Sequence, residues 1–295
     1  MNEGKMERRT DGTMKNGKVY YDYRDNILID KDNPVLAFKA NRDRYKNKGN
    51  TKSYAGMPML GSIYSEDAMT WNVFRTLQKE NSLRLLNDFF EEDLTGAKLL
   101  LWTYALTEDE KSAKLQYAVG DSIRKIDGRQ DRKQITEPDV ILVTGSSFIV
   151  CECKLGEPDK CTHLWANSKK SPGPKIRYND YFIDNANPFK SGIAHDDELY
   201  SNYAYQLFRM AFYSYHIAAK LNLNPKLISL TNETWWDLKK EKTGEIPSQV
   251  WAEFCSKIES EKLFTKNIFW QDIWLSMNCR KKTGTEEKTE EKSAV

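Results

Sequence analysis

The sequence predicts an α/β fold with a central mixed β-sheet flanked by helices, and three features predict it. Residues 140–143 and 148–153 are β-rich runs on either side of Thr144-Gly145-Ser146-Ser147, which has the composition of a hairpin turn. Both faces of that hairpin carry apolar residues, which marks it as an inner part of a sheet covered above and below. A long helical stretch at 196–222 precedes a further strand at 227–230, and a helix joining two strands suits a parallel pairing.

The 295 residues suffice for one large α/β domain with a substantial core. The expected division is a basic N-terminal arm or extension at 1–60, a main domain at 61–280 and a low-complexity, disordered tail at 281–295. Hydrophobic residues make up 39% and aromatic residues 12%, which excludes general disorder. A net charge of +2 is too small to identify a polyanion binder, so the distribution of charge has to decide. Five cysteines, at 151, 153, 161, 255 and 279, are odd in number and scattered, which fits a reducing cytoplasm better than a disulfide framework. The N-terminus is polar, and no apolar run approaches the ~20 residues that span a bilayer, so no membrane segment is expected.

Residues 1–60 show short strand-like pieces at 19–23 and 27–29 but no sustained period. Between 39 and 52, Lys39, Arg42, Arg44, Lys46, Lys48 and Lys52 face only Asp43 in charge, with Tyr45 among them. That mixture suits phosphate contact and base stacking, and equally a solvated linker. Ser65 reads as an N-cap with Glu66 and Asp67 in the first turn of a helix whose stripe is Met69, Trp71, Val73, Phe74 and Leu77. Glu66 falls on the line of Thr70, Val73 and Leu77, where an acid is conspicuous. A helical piece at 83–90 and a strand at 99–104 follow, and 115–125, with Gly120 inside, reads as a strand leading to the turn Asp127-Gly128-Arg129.

With the hairpin turn centred between Gly145 and Ser146, opposed residues have numbers summing to 291. Asp139 then faces Glu152, Ile141 faces Val150 and Glu137 faces Lys154. Opposed Cβ atoms stand roughly 4.5–5.5 Å apart, and like charges so placed repel, so two carboxylates there call for a cation. Mg²⁺ is commonly held by one or two carboxylates plus water and phosphate oxygens, which makes phosphodiester chemistry the expectation. Lys154, at the margin of the same site, would orient a water or offset developing negative charge.

Pro138-Asp139, twelve residues, then Glu152-Cys153-Lys154 resembles the signature of the PD-(D/E)XK nuclease superfamily, the restriction-endonuclease-like fold. The resemblance covers roughly residues 65–231. It implies a metal-dependent DNA endonuclease in which Asp139 and Glu152 hold Mg²⁺, with Mn²⁺ as a substitute, and Lys154 positions the water. The stretch 65–72 is similar to a first core helix that contributes a further acid, which implies Glu66 as a third ligand. The implied partner is nucleic acid, DNA ahead of RNA, with a homodimer as the assembly to look for. The alternative is a non-catalytic nucleic-acid-binding or assembly protein on the same fold.

Beyond the hairpin, Cys151, Cys153, Cys161 and His163 have a spacing that zinc could use, but Cys151 and Cys153 fall on an apolar strand face where free cysteine packs. Lys169, Lys170, Lys175 and Arg177 are the four cations of 168–177, an acid-free stretch of a turn-rich insertion at 164–195, and suit a loop that meets nucleic-acid backbone. On the helix at 196–222, Gln206, Arg209, Tyr213 and His216 adjoin the apolar line of Leu207, Met210, Ala211, Ala218 and Leu221. The resemblance places a substrate-side glutamine at Gln206, with Arg209 beside it. Pro247 opens a last helix to 258, and 264–277 is an apolar closing segment.

Overall fold

The computed structural model describes residues 12–47, 49–107, 109–127, 137–155, 165, 187–191, 204–239 and 246–278. The chain forms two compact units, residues 1–80 and 81–295.

In the first unit, β1 (Met14–Lys15) and β2 (Val19–Tyr20) make a small hairpin. Its turn holds Asn16 and Gly17 at φ 53° and 63°, a left-handed pair for which Asn-Gly is the favoured sequence. Residues 27–29, read as strand-like, form no strand: Ile27 is buried and Leu28 exposed, and the Leu28 N–H goes to the Asn72 side chain at 2.8 Å. Helix α1 (Pro34–Arg42) starts on Asn33, whose side chain accepts from the Val35 N–H, with Pro34 at the first position. Helix α2 (Glu66–Lys79) starts as the sequence predicts, with the Ser65 hydroxyl accepting from the Ala68 N–H at 3.2 Å. It buries Trp71, Val73, Phe74 and Leu77, and the Trp71 indole N–H donates to the Ile29 carbonyl at 2.9 Å. The basic run of 39–52 is partly engaged within this unit. Lys39 is buried against Asp43 and Asp67 at 3.2 and 3.1 Å, and Arg44 donates to the Gly56 carbonyl at 2.7 Å.

The second unit is built on a six-stranded sheet in the order β4-β3-β5-β6-β7-β8. Its strands are β3 (Lys98–Leu101), β4 (Tyr104–Ala105), β5 (Val140–Val143), β6 (Ser147–Cys153), β7 (Asn224–Thr231) and β8 (Phe264–Phe269). The first four pair antiparallel, while β6/β7 and β7/β8 are parallel, so the sheet is mixed. The strand expected at 99–104 is two strands, because Trp102 and Thr103 turn the chain at φ 51° and 70°. The β5/β6 register is the one the turn dictates: Val140 pairs with Cys151 and Ile141 with Val150.

Residues 115–125 are not a strand. They lie inside helix α4 (Glu110–Ile126), capped by the Asp109 carboxylate on the Ser112 N–H at 2.9 Å. Leu115, Val119, Ile123 and Ile126 repeat at helical spacing and pack on one side, and that period overrides the β-like local composition. Parallel pairing requires crossovers, supplied by helix α5 (Tyr205–Leu221) between β6 and β7 and helix α6 (Pro247–Ser256) between β7 and β8. The closing segment divides into β8 and a helix over 270–278.

Alternation along the strands separates two layers. Phe148, Val150, Leu227, Ile141 and Leu100 join the core formed with α4, α5 and α6, including Phe208, Phe212 and Phe254. Tyr213 donates to the buried Asp127 carboxylate at 2.5 Å, tying α5 to the end of α4. Cys151, Cys153, Ile228 and Leu230 occupy the opposite face, all fully buried. Lys226 reaches from that face to the carbonyls of Phe90 and Glu91, which sets helix α3 (Asn87–Phe90) beside it. Among the described residues no helix is long and apolar enough to cross a membrane.

Candidate active site

The acid pair lies where β5 begins and β6 ends. The β5/β6 register, continued one position beyond the Val140–Cys151 pair, sets Asp139 opposite Glu152. The Asp139 carboxylate accepts from the backbone N–H of Cys153 at 2.7 Å, while its own carbonyl accepts from the Trp102 N–H at 3.1 Å. Asp139 therefore ties the start of β5 to the end of β6 and to β3. Glu152 is only 4% exposed, an unusual position for a carboxylate without a partner. Its partner is Lys154, with Nζ 2.8 Å from Oε1. The Lys154 backbone N–H continues the parallel ladder to the Leu230 carbonyl at 2.7 Å, so the lysine is held in register with β7.

Glu152 shares the α5 face of the sheet with Phe148 and Val150. Beside it on β7 stands Ser229, and beyond that Asn267 on β8. Ser229 is fully buried, and its hydroxyl makes no hydrogen bond among the described residues. Asn267 accepts from the Thr231 hydroxyl at 3.1 Å. This polar row across three strands was missed from sequence, although a lone serine inside the apolar run Leu227-Ile228-Ser229-Leu230 was a readable break.

Helix α5 brings Gln206 and Arg209 to the same level of the sheet. The Ser214 hydroxyl donates to the Lys226 carbonyl at 2.9 Å, which fixes the middle of the helix over the third residue of β7. Arg209 and Gln206 lie five and eight residues earlier, about 8 and 12 Å along the axis. At about 3.3 Å per strand residue this corresponds to roughly two to four residues beyond Lys226, the level of Ser229 and Glu152. Arg209 is buried with its guanidinium 5.1 Å above the Tyr205 ring, and the Gln206 N–H donates to the Trp165 carbonyl at 2.8 Å. Glu66 stands in the first unit, half-buried as the first residue of α2. Lys169, Lys170, Lys175 and Arg177 lie outside the described residues, as do Cys161 and His163.

Two carboxylates in opposed register, one of them buried, supply the hard oxygen donors that Mg²⁺ takes together with water and phosphate oxygens. Among the described residues there is no group of three or more His, Cys, Asp or Glu side chains arranged for a metal. Two carboxylates match the one or two protein acids through which Mg²⁺ is usually held. Burial, and then the negative charge of Asp139, push the Cys151 thiol well above its ordinary range, as suits a neutral thiol packed in the core.

Sheet order, crossover and acid pair together define the class of the second unit as a restriction-endonuclease-like α/β core. The chain belongs to the family described as restriction endonuclease associating with ARP, whose model matches residues 2–276. No curated protein and no solved structure matches it. Membership of this family gives the chain a nuclease-like role in general.

Proposed function

We propose that the chain is a metal-dependent DNA endonuclease whose hydrolytic site is Asp139, Glu152 and Lys154. The observation that carries this reading is the buried Glu152 carboxylate, set opposite Asp139 and bonded to Lys154 at 2.8 Å. Asp139 and Glu152 would hold Mg²⁺, or Mn²⁺ in its place. Such an ion supplies Lewis acidity toward a phosphoryl oxygen and a lowered pKa for a bound water. Lys154 orients the attacking water and offsets the negative charge that builds on the phosphoryl oxygens. Attack in line forms the new oxygen–phosphorus bond as the bond to the 3′ oxygen breaks, the proton passes to that oxygen, and a 5′-phosphate remains.

Arg209 and Gln206, at the level of the acid pair, are assigned to the substrate backbone. Lys169, Lys170, Lys175 and Arg177 are assigned to backbone phosphates through charge. DNA as substrate rests on the family description, which also names an association with ARP, and a complex with that partner belongs to the proposed role. The test is incubation of the full chain with supercoiled, linear and single-stranded DNA and with RNA, with and without Mg²⁺. The reading expects divalent-dependent nicking or cleavage of DNA that Glu152→Gln abolishes in a folded protein. Undiminished cleavage by that variant overturns it.

A further inference from the structure

Beside the acid pair, a cavity of about 310 Å³ opens between α4 and β4, lined by Tyr104, Gln116, Tyr117, Gly120, Arg124 and Glu137. Its volume is at the low end of the roughly 300–1,000 Å³ of small-molecule sites. Glu137 precedes Asp139 by two residues. The cavity wall therefore lies within about 7 Å of extended chain from the acid pair. That is the span from a phosphate to the base of a neighbouring nucleotide.

The lining has the chemistry of base recognition. Tyr104 and Tyr117 offer aromatic faces, the kind of surface on which any base can stack. Gln116 uses its carbonyl oxygen on the Ala105 N–H at 2.7 Å, which leaves its amide NH₂ as the group offered to a ligand. Arg124 adds a donor fork, a side-chain type that reads base edges. One cation and one anion keep the lining near neutral, which suits an uncharged base better than a phosphate.

Gly120 points the same way. It sits in the interior of α4, where glycine is less favourable than alanine. Its φ is not positive, and a Cβ built there would meet only Arg124 Nη1, at an ordinary 3.7 Å. Neither backbone conformation nor close packing requires glycine, and what its missing side chain provides is open space beside the Arg124 guanidinium.

We infer that this cavity binds a single unstacked nucleobase of the substrate strand, adjacent to the scissile phosphate. The inference rests on the nuclease reading but has its own readout. Each of the four deoxynucleosides is titrated into the full chain in EDTA and followed by saturation-transfer NMR, using wild type, Gly120→Leu, which fills the space, and Tyr117→Ala, which removes an exposed ring. At least one deoxynucleoside is expected to bind saturably to wild type, with at least a tenfold loss in both variants, and Gly120→Ala serves as a folded control of equal or higher stability. Absence of binding to wild type by all four, or unchanged binding in Gly120→Leu and Tyr117→Ala, overturns the inference. DNA cleavage by the same preparation reports the nuclease reading separately: cleavage without base binding keeps the enzyme and removes the pocket, and base binding without cleavage does the reverse.

Discussion

The Asp139 carboxylate accepts a 2.7 Å hydrogen bond from the backbone N–H of Cys153, the residue that separates Glu152 from Lys154. One acid of the site thus fixes the strand end that carries the other acid and the lysine. Asp139→Asn keeps an acceptor oxygen for that bond and removes the charge. Cleavage is expected to fall by about 100-fold or more, the scale of losing one electrostatic contributor to a transition state, with the urea midpoint nearly unchanged. Asp139→Ala also strands a partly buried N–H and is expected to cost about 1–3 kcal/mol in addition, measured by the same denaturation.

The Glu152–Lys154 pair is almost fully enclosed, with side-chain exposures of 5% and 12%. Lys154→Met leaves the glutamate buried without its cation, a change of the kind that costs about 3–5 kcal/mol. Adding Glu152→Gln to Lys154→Met is expected to recover much of that stability and none of the activity. A double variant no more stable than Lys154→Met would show that the two side chains act independently.

Glu92 holds the hairpin turn from outside the site. It accepts from the hydroxyls of Thr144, Ser146 and Ser147 and pairs with Lys226 at 3.0 Å. Burial favours the neutral acid, but the hydrogen bonds from Ser146, Ser147, Thr144 and Lys226 outweigh it and lower the pKa to about 2 from 4.5. Because the folded value is the lower one, this contribution is fully present above about pH 4.5 and is lost as the pH falls towards 2. Glu92→Gln is expected to flatten the acid limb of stability against pH in that window, as followed by denaturation at several pH values.

The hairpin, its register and the acid pair were legible in sequence because a short turn fixes which residues oppose, and alternation then fixes their faces. The parallel placement of β7 after α5 was legible for a similar reason, since a long helix must precede it. Helix α4 was not: Leu115, Tyr117 and Val119 alternate with Gln116 and Ala118, and Gly120 follows, so the local composition resembles a strand. The cavity and the row from Glu152 through Ser229 to Asn267 depend on contacts between segments far apart in the chain, which no local period encodes.

Gln206 occupies the first turn of α5, half-buried, with its backbone N–H bonded to Trp165. That bond does not involve the side chain, so Gln206→Ala is expected to leave stability within about 0.5 kcal/mol. DNA cleavage at limiting substrate is expected to fall about tenfold, the equivalent of one lost polar contact of about 1.4 kcal/mol. Steady-state kinetics together with thermal melts check both expectations.

The most direct measurement is a Mn²⁺ titration of the full chain followed by electron paramagnetic resonance, with wild type, Asp139→Asn and Glu152→Gln compared at equal folded concentration. The acid pair as an ion-holding site predicts saturable Mn²⁺ binding in wild type that is lost or weakened at least tenfold in both variants. Binding of equal strength in all three folded proteins would contradict it.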